Sequence, residues 1–386
     1  MRVVCLTDMW IWVTKEERVH TYIPFMLAFL RPEWEVHAYY LSNDDNDITV
    51  LEKEYGKSAP NFNLHLYNEH DDAIQLTHGD ALLIIGGVPS SRIPYQKLLL
   101  DIDELRKRYS TIIYYALDSW EGWWRGKSLK TARGEYDVNN LECAIARAAD
   151  FVLAVSPQLC THISAKYALT KPVYWLPNAA NSRRYKTARP MRHDKDNLVC
   201  VYIGTLFWAR GENNNWDATL RDIASAFPNI RFYIIGSFAW GDTAHPLQPY
   251  YANLIYIMRK GFDESLQAIC DNATFFIILQ ARNVFSYFAD PTKWYVYHYL
   301  ARPILSLNTP HHAHYPGVYP STVTHHDFKQ GIEKMLQALD GGLRAAEPKP
   351  THDWMHRAQT LLNIIEKGDI GYGYAEGGIW KDGRLP

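Results

Sequence analysis

An alternation that runs through the chain twice constrains its fold more than any other feature. Short apolar runs alternate with helix-patterned stretches, which is how a parallel sheet covered by helices reads. In the first half, strands are predicted at Val3–Thr7, Trp34–Leu41, Ala81–Ile85, Ile112–Leu117, Phe151–Val155 and Val173–Leu176. Helices are predicted between them near Thr21–Leu30, Tyr95–Arg108, Asn140–Ala148 and Gln158–Tyr167. The stretch 44–75 is polar and irregular and receives no assignment.

The alternation stops at residues 178–197, which are polar and basic with no apolar periodicity and read as a linker. It restarts with strands at Leu198–Gly204, Arg231–Gly236, Leu254–Ile257, Thr274–Leu279 and Pro303–Leu307. The accompanying helices lie near Trp216–Ala226, Asp263–Asp271, Thr292–Ala301 and Asp327–Leu339. A last amphipathic helix, near Asp353–Glu366, carries Trp354, Leu361, Leu362 and Ile365 on one side and is expected to pack back across both halves. The expectation is an α/β chain of two doubly wound, Rossmann-like domains, 1–180 and 195–345, facing across a cleft, with 350–386 as a helix and tail. At 386 residues the chain is too long for one ordinary core. In such domains ligands bind beyond the C-terminal ends of the strands.

Composition removes several function classes. A formal net charge of -2 gives no large field to attract polyanions, although a local basic patch is compatible with it. The five cysteines are scattered, without a C-x-x-C pair, and read as buried thiols of a reducing compartment. No apolar run approaches the roughly 18–20 residues that span a bilayer. Met1 leads straight into an apolar strand without a leader pattern. A cytoplasmic protein is therefore expected, with any membrane contact peripheral at the inner face.

Four segments carry candidate chemistry. Gly204 follows a buried strand directly, so backbone could approach a ligand there, and Arg210 could fold over a diphosphate. A plain strand–turn with a surface arginine reads equally well. In D-P-T-K, Asp290 suits a helix N-cap and Pro291 the first helical turn, which places Lys293 at the positive end of the helix dipole. A lysine there is locally unfavourable unless an anion docks on it. Asp118 ends the strand I-I-Y-Y-A-L-D and is placed to act as a general base or, alternatively, as a local cap. In W-E-G-W-W-R-G-K, Trp120, Trp123 and Trp124 interleave with Arg125 and Lys127. That loop could lie on an anionic membrane, stack on DNA bases, or fold over an acceptor. His311, His312, His314, His325 and His326 lack a carboxylate or cysteine pattern, so no metal site is expected.

Together these segments resemble the GT-B glycosyltransferases, the class with two Rossmann-like domains. The runs L-E-C-A-I-A-R-A-A-D-F-V-L-A-V-S-P-Q-L (141–159) and W-L-P-N-A-A-N (175–181) carry the likeness, as does Pro291–Pro303, similar to P-x-K-x-x-E-Y-x-x-x-x-x-P. Val296 stands at the acidic position, so the usual carboxylate contact to the donor ribose is missing. V-F-S-Y-F-A-D-P-T-K (284–293), G-T-L (204–206) and the strand ending in Asp118 resemble the GumK-type bacterial glucuronosyltransferases. The resemblance implies a metal-independent, inverting transfer from a nucleotide-sugar donor, UDP-linked, with no cofactor beyond that co-substrate. It implies a donor site of Gly204, Thr205, Leu206, Arg210, Gly236, Arg282, Tyr287, Asp290 and Lys293, with Asp118 as base. The acceptor would be a lipid-linked or polysaccharide glycan, in contact with Trp120, Trp123, Trp124, Arg125 and Lys127. Two alternatives stand beside it: a phage-type DNA glycosyltransferase acting on hydroxymethylated bases, and a non-catalytic sugar-nucleotide-binding scaffold.

Overall fold

The computed structural model describes residues 1–10, 19–41, 49–56, 58–67, 76–86, 102–118, 128–131, 134–185, 197–204, 206–207, 216–236, 238–239, 251–258, 264–279, 287–306, 328–343 and 352–368. It divides into two units. The first holds 1–180, 288–290 and 350–386; the second holds 181–287 and 291–349.

The first unit is built on a parallel sheet. Its strands are β1 (Arg2–Trp10), β2 (Glu35–Leu41), β3 (Phe62–Tyr67), β4 (Ala81–Gly86), β5 (Thr111–Ala116), β8 (Phe151–Ala154) and β9 (Val173–Trp175), with β6 (Ser128–Thr131) and β7 (Gly134–Asp137) forming a separate antiparallel hairpin. The sheet order is β3-β2-β1-β4-β5-β8-β9. Every residue of β4 is buried, as expected of a central strand covered on both faces, whereas edge strand β3 is buried only at its two ends. Helices α1 (Val19–Leu30), α2 (Thr49–Tyr55), α3 (Ile102–Arg108), α4 (Val138–Ala148) and α5 (Pro157–Lys166) connect the strands. Strand β3 and α2 both fall inside the stretch 44–75, whose short, half-polar segments show no clean period.

The second unit repeats the plan with β10 (Leu198–Ile203), β12 (Ile230–Gly236), β14 (Leu254–Met258), β15 (Phe275–Ile278) and β16 (Ile304–Ser306), in the order β14-β12-β10-β15-β16. A two-residue parallel pair, β11 (Leu206–Phe207) with β13 (Phe238–Ala239), lies just past the ends of β10 and β12. Helices α6 (Trp216–Ala226), α7 (Glu264–Asp271), α8 (Thr292–Tyr299) and α9 (Phe328–Asp340) belong here. Each unit has its own apolar core.

The two units share a local device. In the first, the Asn61 side-chain amide engages the carbonyls of Ala28, Arg31 and Trp34 at 3.0, 3.1 and 2.8 Å, while Val36 N–H donates to Asn61 O. In the second, Asn253 engages Ala224, Phe227 and Ile230 at 2.9, 3.0 and 3.0 Å, and Phe232 N–H donates to Asn253 O. The acceptors are spaced alike, three residues apart in each unit, although the asparagine follows the last of them by 27 residues in the first and 23 in the second. One amide thus satisfies the carbonyls left over where a helix ends and the next strand begins.

The final helix, α10 (Trp354–Lys367), counts with the first unit. Asp353 caps it by accepting from Met355 N–H at 2.8 Å, and Gly368 ends it at φ 64°, a left-handed position that glycine takes without strain. Trp354 stacks on Tyr22 of α1, and Arg31 pairs with Glu366. The start of the predicted linker is ordered against this helix. Ala179, Ala180 and Asn181 are fully buried, with Ala180 N–H donating to His352 O and Ala180 O accepting from Trp354 N–H. Backbone pairing buries this segment, which is why apolar periodicity gave no sign of it.

Candidate functional site

In the second unit, two adjacent parallel strands end in glycine. Gly204 follows β10 at φ 145°, and Gly236 closes β12 at φ 147°. Both values are disfavoured for any residue with a Cβ. The two backbones touch: a Cβ on Gly236 would lie 2.0 Å from the Gly204 carbonyl oxygen. Gly204 N–H donates to Ile235 O at 2.8 Å, and beyond the glycines the strands pair again as Leu206↔Phe238 and Phe207↔Ala239.

Lys293 occupies the space that a side chain at Gly204 would need. A Cβ there would meet Lys293 Cε at 2.2 Å and Nζ at 2.9 Å. Its ammonium lies 5.2 Å from the centre of the Tyr202 ring, a cation–π distance. Among the described residues it makes no ion pair. The cation therefore rests over a side-chain-free turn, at the first turn of α8, with backbone on one side and an aromatic face on another.

Tyr297 ties the lysine's helix to the end of β10. It stands one helical turn after Lys293, on the same face. The β10–β15 ladder registers Cys200↔Phe275 and Val201↔Phe276 and goes no further. At Ile203 the Tyr297 hydroxyl replaces the missing strand, accepting from Ile203 N–H at 2.7 Å and donating to Ile203 O at 3.2 Å. Its ring stacks on Phe276 at 4.2 Å. Burial pushes its phenol well above the ordinary tyrosine range, so the hydroxyl keeps the proton it donates.

Gly204, Gly236 and Lys293, all predicted for a donor site, thus come together. Leu206 follows immediately, in β11. Asp290 does not cap α8: the N-cap is Pro291, with no side-chain cap bond, and the Asp290 carboxylate accepts from Asn178 N–H at 2.6 Å instead. The extended Pro291 moves the helix start one residue on, and Asp290 counts with the first unit. Tyr287 is half exposed. Asp118 belongs to the first unit, half-buried just past β5, next to Leu117, whose N–H donates to Gly86 O at 3.2 Å. Thr205, Arg210, Arg282, Trp120, Trp123, Trp124, Arg125, Lys127 and the five histidines His311, His312, His314, His325 and His326 lie outside the described residues. Among the described residues no cluster of His, Cys, Asp or Glu is arranged to hold a metal ion, and no helix is long and apolar enough to cross a membrane.

Sequence reasoning missed Tyr202 and Tyr297. The four-residue spacing from Lys293 to Tyr297 was a usable signal for the second; nothing in the sequence marked the first.

No protein-family model matches the chain, and no curated protein does. Among solved structures it is similar to the lipopolysaccharide outer core galactosyltransferase WaaB in its apo form, with TM-score 0.61, 14% identity, and 96% of this chain and 100% of that one covered. It is similar to HepE of Anabaena in complex with UDP and glucose, with TM-score 0.58, 10% identity and coverage of 94% and 99%. A UDP-GlcNAc 2-epimerase from Neisseria meningitidis bound to UDP-GlcNAc gives 0.50, 7%, 95% and 100%. At such identities the likeness fixes the fold: two Rossmann-like α/β units of the GT-B class.

Proposed function

We propose that the chain is a glycosyltransferase that takes a sugar from a nucleotide-diphosphate donor, UDP first among candidates, and passes it to an acceptor hydroxyl. The observation that carries this reading is the Lys293 ammonium laid over the turn formed by Gly204 and Gly236. A diphosphate needs close backbone approach and a fixed positive charge, and these three residues supply both. The complexes of HepE with UDP and glucose and of the Neisseria epimerase with UDP-GlcNAc support a nucleotide-sugar ligand.

In this reading the bond between the anomeric carbon and the diphosphate oxygen breaks as the acceptor oxygen attacks. Lys293 stabilises the departing diphosphate, with Arg210 as a second cation. Asp118 takes the proton of the acceptor hydroxyl, and the sugar inverts. With lysine carrying the charge, transfer is expected to persist in EDTA. The GumK-type likeness favours a uronic-acid donor, for which Arg282, Arg259 and Lys260 are the candidate cations. The acceptor is a lipid-linked or polysaccharide glycan, a choice supported by the tryptophan-rich basic run 120–133 and tested against DNA by salt dependence, since DNA binding weakens steeply as salt rises.

Calorimetry with UDP is the direct test. A charge-assisted contact contributes about 1.5–3 kcal/mol, so Lys293→Ala should weaken UDP by roughly ten- to a hundredfold. Asp118→Asn should keep UDP affinity while lowering transfer by about a hundredfold or more. Unchanged transfer by Asp118→Asn would remove that residue as base. Epimerisation of UDP-GlcNAc in the absence of any acceptor, followed by NMR, would overturn the transferase reading.

A further inference from the structure

Lys293 and the ring beneath its ammonium start from opposite faces of the second unit's sheet. Side chains alternate along a strand. Leu198, Cys200 and Tyr202 of β10 point to the face that packs with α6 and α9. Val201 is the register partner of Phe276, and Phe276 stacks on Tyr297 of α8, so the lysine's helix lies on the other face. Tyr202, Gly204, Lys293 and Tyr297 all belong to the second unit.

The lysine and the ring meet at the end of the strand. A Cβ at Gly204 would come within 2.2 Å of Lys293 Cε, 2.9 Å of its Nζ and 3.3 Å of the Tyr202 hydroxyl, so both side chains converge on the spot that glycine leaves open. The ammonium stands over the Tyr202 ring, 5.2 Å from its centre. Lys293 is half-buried and Tyr202 is 1% exposed, which keeps much of the water from the contact. A desolvated cation over an aromatic face is held more strongly than one at an exposed site. The ring also holds the cation without cancelling it. A carboxylate in the same place would neutralise the ammonium and repel a diphosphate, whereas the ring's quadrupole leaves the full positive charge to attract an anion.

We propose that Tyr202 is a positioning residue of the donor site: the face of its ring stations the Lys293 ammonium over Gly204, at the C-terminal edge of the sheet, before any diphosphate binds. This rests on the donor-site reading above and adds to it a residue that acts through the lysine rather than on the donor. It also gives Gly204 a second reason to lack a side chain, since the lysine crosses the strand end there to reach the ring.

Calorimetry of UDP binding to the full-length chain tests this, with phenylalanines carrying one, two or three ring fluorines placed at position 202 by codon suppression. Fluorine draws electron density from the ring face while barely changing its shape, so a merely structural role would not follow the series. Tyr202→Phe keeps the face and should hold UDP affinity within about twofold of wild type. Each added fluorine should weaken UDP further, to a total of roughly three- to thirtyfold, with equal thermal midpoints across the series. In a Lys293→Ala background the series should be flat, because the ring then has no cation to station. If Tyr202→Phe does not fold, fluorinated tyrosines, which keep the hydroxyl, give the same series. A flat series beside the intact lysine, or an equal slope without it, overturns the role of Tyr202 alone. So does a loss in Tyr202→Phe as large as that in Lys293→Ala, which would assign the work to the hydroxyl. Absence of UDP binding by the wild-type chain overturns the donor-site reading together with it.

Discussion

Tyr297→Phe removes one oxygen and nothing else from the anchor of the lysine helix. The ring and its stack on Phe276 stay, so packing loss does not confuse the result. What goes is the group that satisfies both Ile203 N–H and Ile203 O at the point where the ladder to β15 has ended. A buried backbone group left without a partner costs about 1–3 kcal/mol. The N–H, at 2.7 Å, is the better bonded of the two, and the carbonyl bond at 3.2 Å is the weaker. Ile203 is only half-buried, so the expected loss is about 1–2 kcal/mol, which for a unit of this size lowers its thermal midpoint by roughly 2–8 °C. The second measurement is UDP affinity. With the end of β10 no longer tied to α8, Lys293 should wander from Gly204, and binding should weaken by several-fold, less than in Lys293→Ala. The assay is differential scanning fluorimetry followed by calorimetry on the same preparations. A midpoint within a degree of wild type would refute the anchor. A lowered midpoint with unchanged UDP affinity would keep the anchor and refute its link to the lysine.

The two site glycines should fail differently. At Gly204 an added Cβ meets the flexible end of Lys293, so Gly204→Ala should lose UDP binding about as fully as Lys293→Ala while costing only about 1–3 kcal/mol of stability through its φ. At Gly236 the Cβ meets backbone, which cannot step aside, so Gly236→Ala should show the larger fall in thermal midpoint. Asn61→Ala and Asn253→Ala should each cost about 1–3 kcal/mol, seen in denaturant unfolding as separate losses in the two units. The His65 imidazole is held below its usual range, first by burial and then by His37, whose ring nitrogen lies 2.8 Å away. A base with a depressed folded pKa gives stability that is present above its unfolded value, about 6.5, and is lost as pH falls through the folded one. The thermal midpoint should thus drop between roughly pH 7 and 5, less steeply in His65→Gln.

How much of this was legible depends on what each feature uses to hold itself together. Central strands such as β4 and β10 announce themselves because both faces are covered and the sequence is apolar throughout. Strand β3 does not: its middle residues Asn63, Leu64 and His65 are only half-buried, and His65 spends its ring on Tyr39 and His37 rather than on the core. The ordered stretch after Pro177 is legible only through its backbone partners in 352–354, far away in sequence. At the site, Gly204 and Lys293 stood out because a glycine after a buried strand and a lysine at a helix start are each locally costly. Tyr297 stood out less because its hydroxyl is spent on backbone groups of another segment. Asp290 shows the limit of local reading, since its position before Pro291 fits a cap while its partner lies 112 residues earlier.

The duplicated asparagines mark a plan that both units share, while the described turn of Gly204 and Gly236 under a lysine belongs to the second. Asn61 and Asn253 lie where the first helix of each unit ends and the strands begin, at the N-terminal edge of each sheet. At that edge the same amide-to-carbonyl solution serves twice. The C-terminal edges differ. In the second unit β10 and β12 end in Gly204 and Gly236, where a Cβ would strike backbone or Lys293. In the first, β5 runs on through Leu117 to a half-buried carboxylate, Asp118. A side-chain-free turn with a cation suits an anion, and a carboxylate at a strand end suits a proton. The division of labour proposed for the chain, donor diphosphate in one unit and acceptor hydroxyl in the other, follows from this difference between edges rather than from any difference in scaffold.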